Sequence, residues 1–399
     1  MKLEDDLKAL SNPEVIQFIE DNLTTPIPKL ILKGSPFESI SINFLANQIT
    51  GKNKARKKLP TWSKNKSIVY PHKVNLEQTS SEITANHKSK LVSGEKLIDL
   101  TGGFGVDDFY FSKRVNQLTY VEINQELFEI ARQNFHAFTF TNIECHHTDS
   151  IDYLKTADFK YDWIYVDPSR RNKNQKVFLL KDSLPNLLEH QKLLKKKSIN
   201  LMIKTSPMYD IEMGYKELSG IKELHVVSVK NEVKELLWII DWRAKNSRIM
   251  KLFNYDSFKK YSYQKIKPNF ISNDTISYSE SKKYIYEFNS SIMKSGLYDF
   301  LACKYNLSKL EKSTNLYTSD LQLVSFPGKI YQVESVNSIN FKNLKKEYKG
   351  RFVNIISKNI KVTTDKIQKK LNCKIGSDMD YLIFTKTIEG NKVIKATRL

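Results

Sequence analysis

The sequence predicts an α/β protein: a doubly wound, mainly parallel sheet in the middle of the chain, a helical region before it and a basic α+β part after it. Three observations predict this. Between residues 96 and 245, short apolar runs alternate with amphipathic stretches of helix length, the pattern of successive strand–helix units. One run, Leu97-Ile-Asp-Leu100, leads directly into the glycine-rich turn Thr101-Gly-Gly-Phe-Gly105. The charge is also uneven. It is +4 over residues 1–95, +1 over 96–245 and +15 over 246–399, where 28 basic residues meet 13 acidic ones.

Residues 1–95 read as helices. Val15, Phe18, Ile19 and Leu23 recur at helical spacing behind the start signal Asn12-Pro13. Ser41–Gln48 is a short amphipathic piece, followed by the basic stretch Gly51–Lys58. Thr79 is placed to cap a further helix, with Glu82 three residues later returning the bond. In the middle region the expected strands are Lys96–Leu100, Leu118–Glu122, Ile143–His146, Asp162–Val166, Asn200–Lys204, Glu223–Val229 and Glu235–Asp241. The expected helices are Val106–Arg114, Gln125–Phe135, Ser150–Lys155, Leu179–Lys195 and Tyr209–Leu218. No helix separates the last two strands, so they form an antiparallel pair. Further on, Tyr284–Phe288, Phe352–Ser357 and Asp380–Lys386 read as strands, and Ile292–Lys304 and Thr364–Leu371 as helices.

Composition bounds the function. A chain of 399 residues accommodates two or three domains at roughly 100–200 residues each. No apolar run approaches the ~18 residues of a spanning helix, and the acidic Met1–Asp6 lacks a signal's apolar core, so no membrane partner is expected. Cys145, Cys303 and Cys373 suit neither a disulfide framework nor a zinc site; a cytoplasmic protein without metal is expected. The excess of lysine in the last third points to a polyanion.

The chemistry concentrates at the ends of the middle strands. Asp99 closes the first, and Thr101, Gly102, Gly103, Phe104 and Gly105 form a turn that lets backbone approach a ligand closely. Glu122 ends the second strand, 23 residues after Asp99, where an acid accepts bonds from ribose hydroxyls; Ile123 follows it. Asp149, followed by Ser150, comes after the third strand, where an acceptor meets an adenine amino group. Asp167-Pro168 follows the fourth. Four acids at successive strand ends imply a nucleoside cofactor. In a dinucleotide fingerprint the third glycine would stand at Asp108. S-adenosylmethionine (SAM) carries no phosphate and a positive sulfonium, and suits this acid-lined turn better.

These pieces resemble a bacterial family of class I SAM-dependent methyltransferases with a C-terminal THUMP-like domain, over roughly residues 55–399. The resemblance rests on Lys58-Leu-Pro-Thr-Trp62, Leu76-Glu-Gln-Thr-Ser-Ser-Glu82 with Thr84-Ala85 and Lys88, Asp99–Asp107, Asp167-Pro-Ser-Arg-Arg171 and Asn231-Glu-Val-Lys-Glu-Leu236. It extends through Ser357–Ile360 to Lys369-Lys-Leu371, with Lys358 and Ile360 standing where an arginine and an aromatic are expected. The resemblance implies a Rossmann-like methyltransferase sheet of strand order 3-2-1-4-5-7-6. It implies a helical region 1–95, a SAM-binding domain 96–245, a small ferredoxin-like α+β domain 246–325 and a THUMP-like domain 326–399. It places Gln78 and Ser81 beside the cofactor.

Asp167, Pro168, Ser169 and Arg170 stand where related enzymes hold a target amino group for methyl transfer. The aromatic that would follow Pro168 is absent, and Arg170 and Arg171 are suited to a phosphate. No cysteine other than Cys145 lies near the strand ends, which argues against covalent attack on a pyrimidine. The adjacent His146 and His147 point to opposite faces of a strand and cannot share a metal. The expected function is methylation of a base, at an amino or ring nitrogen, in ribosomal or transfer RNA. Two alternatives stand beside it: a methyltransferase of protein or small-molecule substrates, and a non-catalytic RNA-binding protein on a retained SAM fold.

Overall fold

A computed structural model describes residues 6–7, 10, 12–170, 180–245, 247–257, 260–266, 275–376 and 379–399. The chain divides into two compact units. The first holds residues 1–229, 234–249 and 257–260; the second holds 230–233, 250–256 and 261–399.

In the first unit, helices α1 (Pro13–Asp21), α2 (Ile27–Lys33), α3 (Ile42–Lys58), α4 (Pro60–Lys64), α5 (Lys73–Gln78) and α6 (Glu82–Ser89) precede the sheet. As the sequence predicts, Asn12 caps α1, accepting a bond from the Glu14 amide. Two local expectations are corrected. The basic stretch Gly51–Lys58 is the second half of α3 and not a separate segment, because Gly51, Lys52 and Ala55 pack inward. Ser81, not Thr79, caps α6, in a reciprocal box with Thr84; α5 runs on to Gln78 and uses Thr79 to end itself.

The sheet follows: β1 (Gly94–Asp99), α7 (Val106–Phe111), β2 (Val115–Glu122), α8 (Gln125–Ala137), β3 (Ile143–His147), α9 (Ser150–Thr156) and β4 (Tyr161–Val166). After a two-residue ribbon of Ser169–Arg170 with Ser183–Leu184 come α10 (Leu187–Lys197), β5 (Ser198–Thr205), α11 (Ile211–Glu217), β6 (Ile221–Val229) and β7 (Glu232–Asp241). Their order across the sheet is β3-β2-β1-β4-β5-β7-β6. β1 pairs in parallel with β2 and β4, β2 with β3 and β4 with β5, whereas β7 runs antiparallel to β5. This is the doubly wound order that the resemblance implies. The helix expected over 179–195 begins only at Leu187, since Pro185 cannot continue a helix and Asn186 supplies the cap; residue 179 lies outside the described residues.

The helical region is not a separate body. Trp62 is fully buried against Phe104 and Phe109, with ring centroids 4.8 and 5.6 Å apart. One apolar core joins Val15, Leu45 and Trp62 of the helical region to Phe104, Phe109 and Ile130 of the sheet region. The expected segments 1–95 and 96–245 therefore share a core.

The second unit holds the antiparallel hairpin β8 (Met250–Tyr255) and β9 (Tyr261–Ile266). It continues with β10 (Tyr284–Phe288), α12 (Ser290–Ser295), α13 (Tyr298–Lys304), β11 (Ser308–Glu311), β12 (Thr314–Ser319) and β13 (Gly328–Ser338). It ends with α14 (Phe341–Tyr348), β14 (Asn354–Lys358), α15 (Thr364–Leu371), β15 (Asp380–Thr387) and β16 (Gly390–Arg398). Seven strands form one sheet, β11-β12-β10-β13-β16-β15-β14, so the two expected C-terminal domains share it. The single helix expected over Ile292–Lys304 is two, broken where Gly296 turns left-handed at φ 74°.

Candidate active site

The carboxyl ends of β1, β2, β3 and β4 open onto one cleft of about 350 Å³ and an adjoining smaller pocket. Gln78, Thr101, Gly103, Leu127 and Asp167 line both. Asp99, Phe104 and Asp107 face the smaller pocket, while Glu122, Ile123, Asp149, Ser150 and Ser169 face the larger.

The turn after β1 is held from several sides. Asp99 is buried, and its Oδ1 accepts bonds from the Thr101 amide (2.7 Å) and hydroxyl (3.1 Å). Thr101 Oγ1 in turn accepts the Asp167 amide at 2.7 Å, tying the end of β1 to the end of β4. Gly103 donates its amide to Glu122 at 2.8 Å and accepts from the Tyr120 hydroxyl at 2.7 Å. Tyr120 lies so close that a Cβ on Gly102 would stand 2.2 Å from its ring, so only glycine fits there. Gly105 caps α7 at φ 80°, against the Phe135 ring.

Glu122 also accepts the Asn124 amide at 2.7 Å, which fixes its carboxylate at the cleft wall. Ile123 beside it keeps 67% of its surface exposed, an apolar face on which a ring can lie. Asp149 caps α9 through Oδ1, accepting the Ile151 and Asp152 amides at 2.8 and 3.0 Å. Ser81 lines neither pocket, because its hydroxyl is engaged in the α6 cap; the neighbouring Ser80 faces the smaller pocket instead.

Asp167 meets a partner that sequence spacing does not show. Its Oδ2 accepts from Lys204 at the end of β5, and its side chain stays 36% exposed. Pro168 is buried and Ser169 exposed; the Arg170 side chain and Arg171 lie outside the described residues. Lys204 belongs to a buried ionic network beneath the smaller pocket. Lys88 of α6, fully buried, donates to Ser80 (2.9 Å) and Glu235 of β7 (3.0 Å) and pairs with Asp107 of α7 (3.1 Å). Ser80 and Tyr165 each donate to Asp107 at 2.8 Å.

Burial sets the titration of these groups. It pushes the Asp99 carboxyl up to about 8, with Asp107 and Asp167 adding repulsion against the Thr101 bonds. Asp108 also rises, through burial and then the neighbouring Asp99 and Asp107. Burial opposes ionisation of Asp107 too, but Lys88 and Lys204 hold it below the usual carboxylate range. Burial disfavours the Lys204 ammonium, yet Asp167, Glu235 and Asp107 outweigh it and raise its pKa. Burial pushes the Cys145 thiol up to about 12, so it is a poor nucleophile. Among the described residues no group of three or more His, Cys, Asp or Glu side chains could hold a metal ion. Among the described residues no helix is long and apolar enough to cross a membrane.

Residues 284–327 match a ferredoxin-like domain and 328–398 a THUMP domain-like family. No protein of curated function matches the chain. A crystal structure of a candidate methyltransferase from Porphyromonas gingivalis W83 superimposes with a TM-score of 0.84 at 26% identity, covering 96% of this chain and 97% of that one. A class I SAM-dependent methyltransferase candidate from Listeria monocytogenes aligns over 63% of this chain and 94% of its own, at 14% identity and a TM-score of 0.39. M. capricolum TrmK, solved with S-adenosylhomocysteine, aligns over 41% of this chain and 69% of its own, at 15% identity and a TM-score of 0.33. The chain is thus a methyltransferase-fold protein with ferredoxin-like and THUMP domain-like C-terminal parts.

Proposed function

We propose that this chain is a SAM-dependent methyltransferase that modifies a base nitrogen, amino or ring, in ribosomal or transfer RNA. One observation carries the reading: Asp99, Glu122, Asp149 and Asp167 come from the ends of four parallel strands and line one pair of joined pockets. The residues present fit SAM. Glu122 offers a fixed carboxylate for ribose hydroxyls, Ile123 an apolar face for the adenine, and the acid-lined turn complements a cationic donor.

Bound SAM supplies the activated methyl group and its leaving group. The chain contributes position and a proton acceptor. Thr101 locks Asp167 to the turn, and Lys204 holds Oδ2, so Oδ1, unpartnered among the described residues, is left for a target N–H. Pro168 fixes the backbone carbonyls beside it, which can align the nitrogen lone pair. The RNA assignment is supported by the THUMP domain-like match over 328–398 and by the +15 charge of residues 246–399.

The test is methylation of RNA from a strain lacking the gene, using labelled SAM and the purified full-length protein, with the modified nucleotide mapped. The reading expects label in one nucleotide class of ribosomal or transfer RNA. Label in protein or small molecules, with none in RNA, would overturn it.

A further inference from the structure

We infer that the outer face of α14 and α15 docks single-stranded RNA, with an unpaired base stacked on Phe352. This rests on the RNA reading above and gives it a place on the molecule. Residues 341–374 carry 11 basic and 2 acidic side chains, a net +9 within 34 residues. The two helices bury Leu344 on one side and Ile367 and Leu371 on the other in a shared core, which turns their lysines outward.

Their C-terminal ends are tied together. Gly350 donates to the Asn372 carbonyl at 2.8 Å, Lys374 to Arg351 at 2.8 Å and Val353 to Lys374 at 2.9 Å. The last turns of the two helices and the junction after them carry Lys345, Lys346, Arg351, Lys369, Lys370 and Lys374, all exposed, with Lys370 lying over the Phe341 ring at 4.5 Å. None of the six has an ion-pair partner among the described residues, and Glu347, the nearest acid in sequence, is held by Lys395 at 2.6 Å. Like charges gathered without counter-charges repel one another, and a polyanion relieves this by releasing counterions.

Phe352 stands at the centre of the junction with 58% of its surface exposed, although Val353 beside it is buried. Lys374 lies 5.3 Å from the ring centroid on one approach. An exposed ring fixed by backbone bonds and flanked by cations is the arrangement on which a base stacks while its phosphates are neutralised. A duplex hides its base faces and cannot use it.

The experiment measures binding of a fluorescent 15-nucleotide single strand and a 15-base-pair duplex RNA to the full-length protein at two salt concentrations. The expected result is a roughly tenfold or greater loss for Phe352→Ala on the single strand, little change on the duplex, and retention by Phe352→Trp. Replacing Lys345, Lys346, Lys369 and Lys370 together by glutamine should flatten the single-strand salt slope by about 3. Wild-type RNA binding with both variants unchanged would overturn this surface while leaving the RNA reading intact. Wild type that binds no RNA would overturn both. Polyglutamate competing as well as RNA, with no effect of Phe352→Ala, would overturn it in favour of an acidic protein partner.

Discussion

Glu122 performs two tasks at one carboxylate: it holds the amides of Gly103 and Asn124 and faces the cleft. Glu122→Ala should therefore weaken SAM binding by about 1.5–3 kcal/mol, the scale of hydrogen bonds to a charged group, as read by calorimetry. The proposed function gives Asp167 to the target and not to the cofactor, so Asp167→Ala should leave SAM affinity within a few-fold and abolish methyl transfer; parallel loss of both would refute the division of roles. Asp99 adds a pH dependence. Its carboxyl is raised, so its contribution to stability is full below the unfolded value of about 3.9 and lost as pH climbs through about 8. A cationic donor favours the ionised form, so SAM affinity should increase from pH 6.5 to 9. In Asp99→Asn the same titration should be flat; an equally steep rise in that variant would assign the effect elsewhere.

Among the elements, the joint between α6, α7, β4 and β7 is the least tolerant of change. Lys88, Asp107 and Glu235 are buried together, and removing one partner leaves uncompensated charge. Lys88→Met should cost about 3–5 kcal/mol in denaturant unfolding. A cost below 1 kcal/mol would show that the network is dispensable. The sequence displays the acids at the ends of the strands because each lies within a few residues of an apolar run and a turn. It does not display this network, whose members are up to 147 residues apart and meet only once the sheet order is formed. The pairing of Asp167 with Lys204 is hidden for the same reason. The sequence reading puts the α6 cap at Thr79 with Glu82; the structure uses Ser81 with Thr84, at the same spacing, because α5 runs on to Gln78.

At the scale of the molecule, the alternation of strands and helices and the helix-free step between β6 and β7 point to the doubly wound class and its antiparallel last pair, while the strand order itself comes only with the family resemblance. The boundary between helical region and sheet was less legible, because an amphipathic helix does not announce which core it joins; Trp62 against Phe104 settles that. The central claim is that the first unit is built for SAM. The most direct measurement is calorimetric titration of the full-length protein with SAM and, separately, with NAD. The account predicts one SAM per chain at micromolar affinity, with protons released at pH 7.5 as Asp99 ionises, and negligible heat with NAD. Tighter binding of NAD than of SAM, or no binding of SAM, would contradict it.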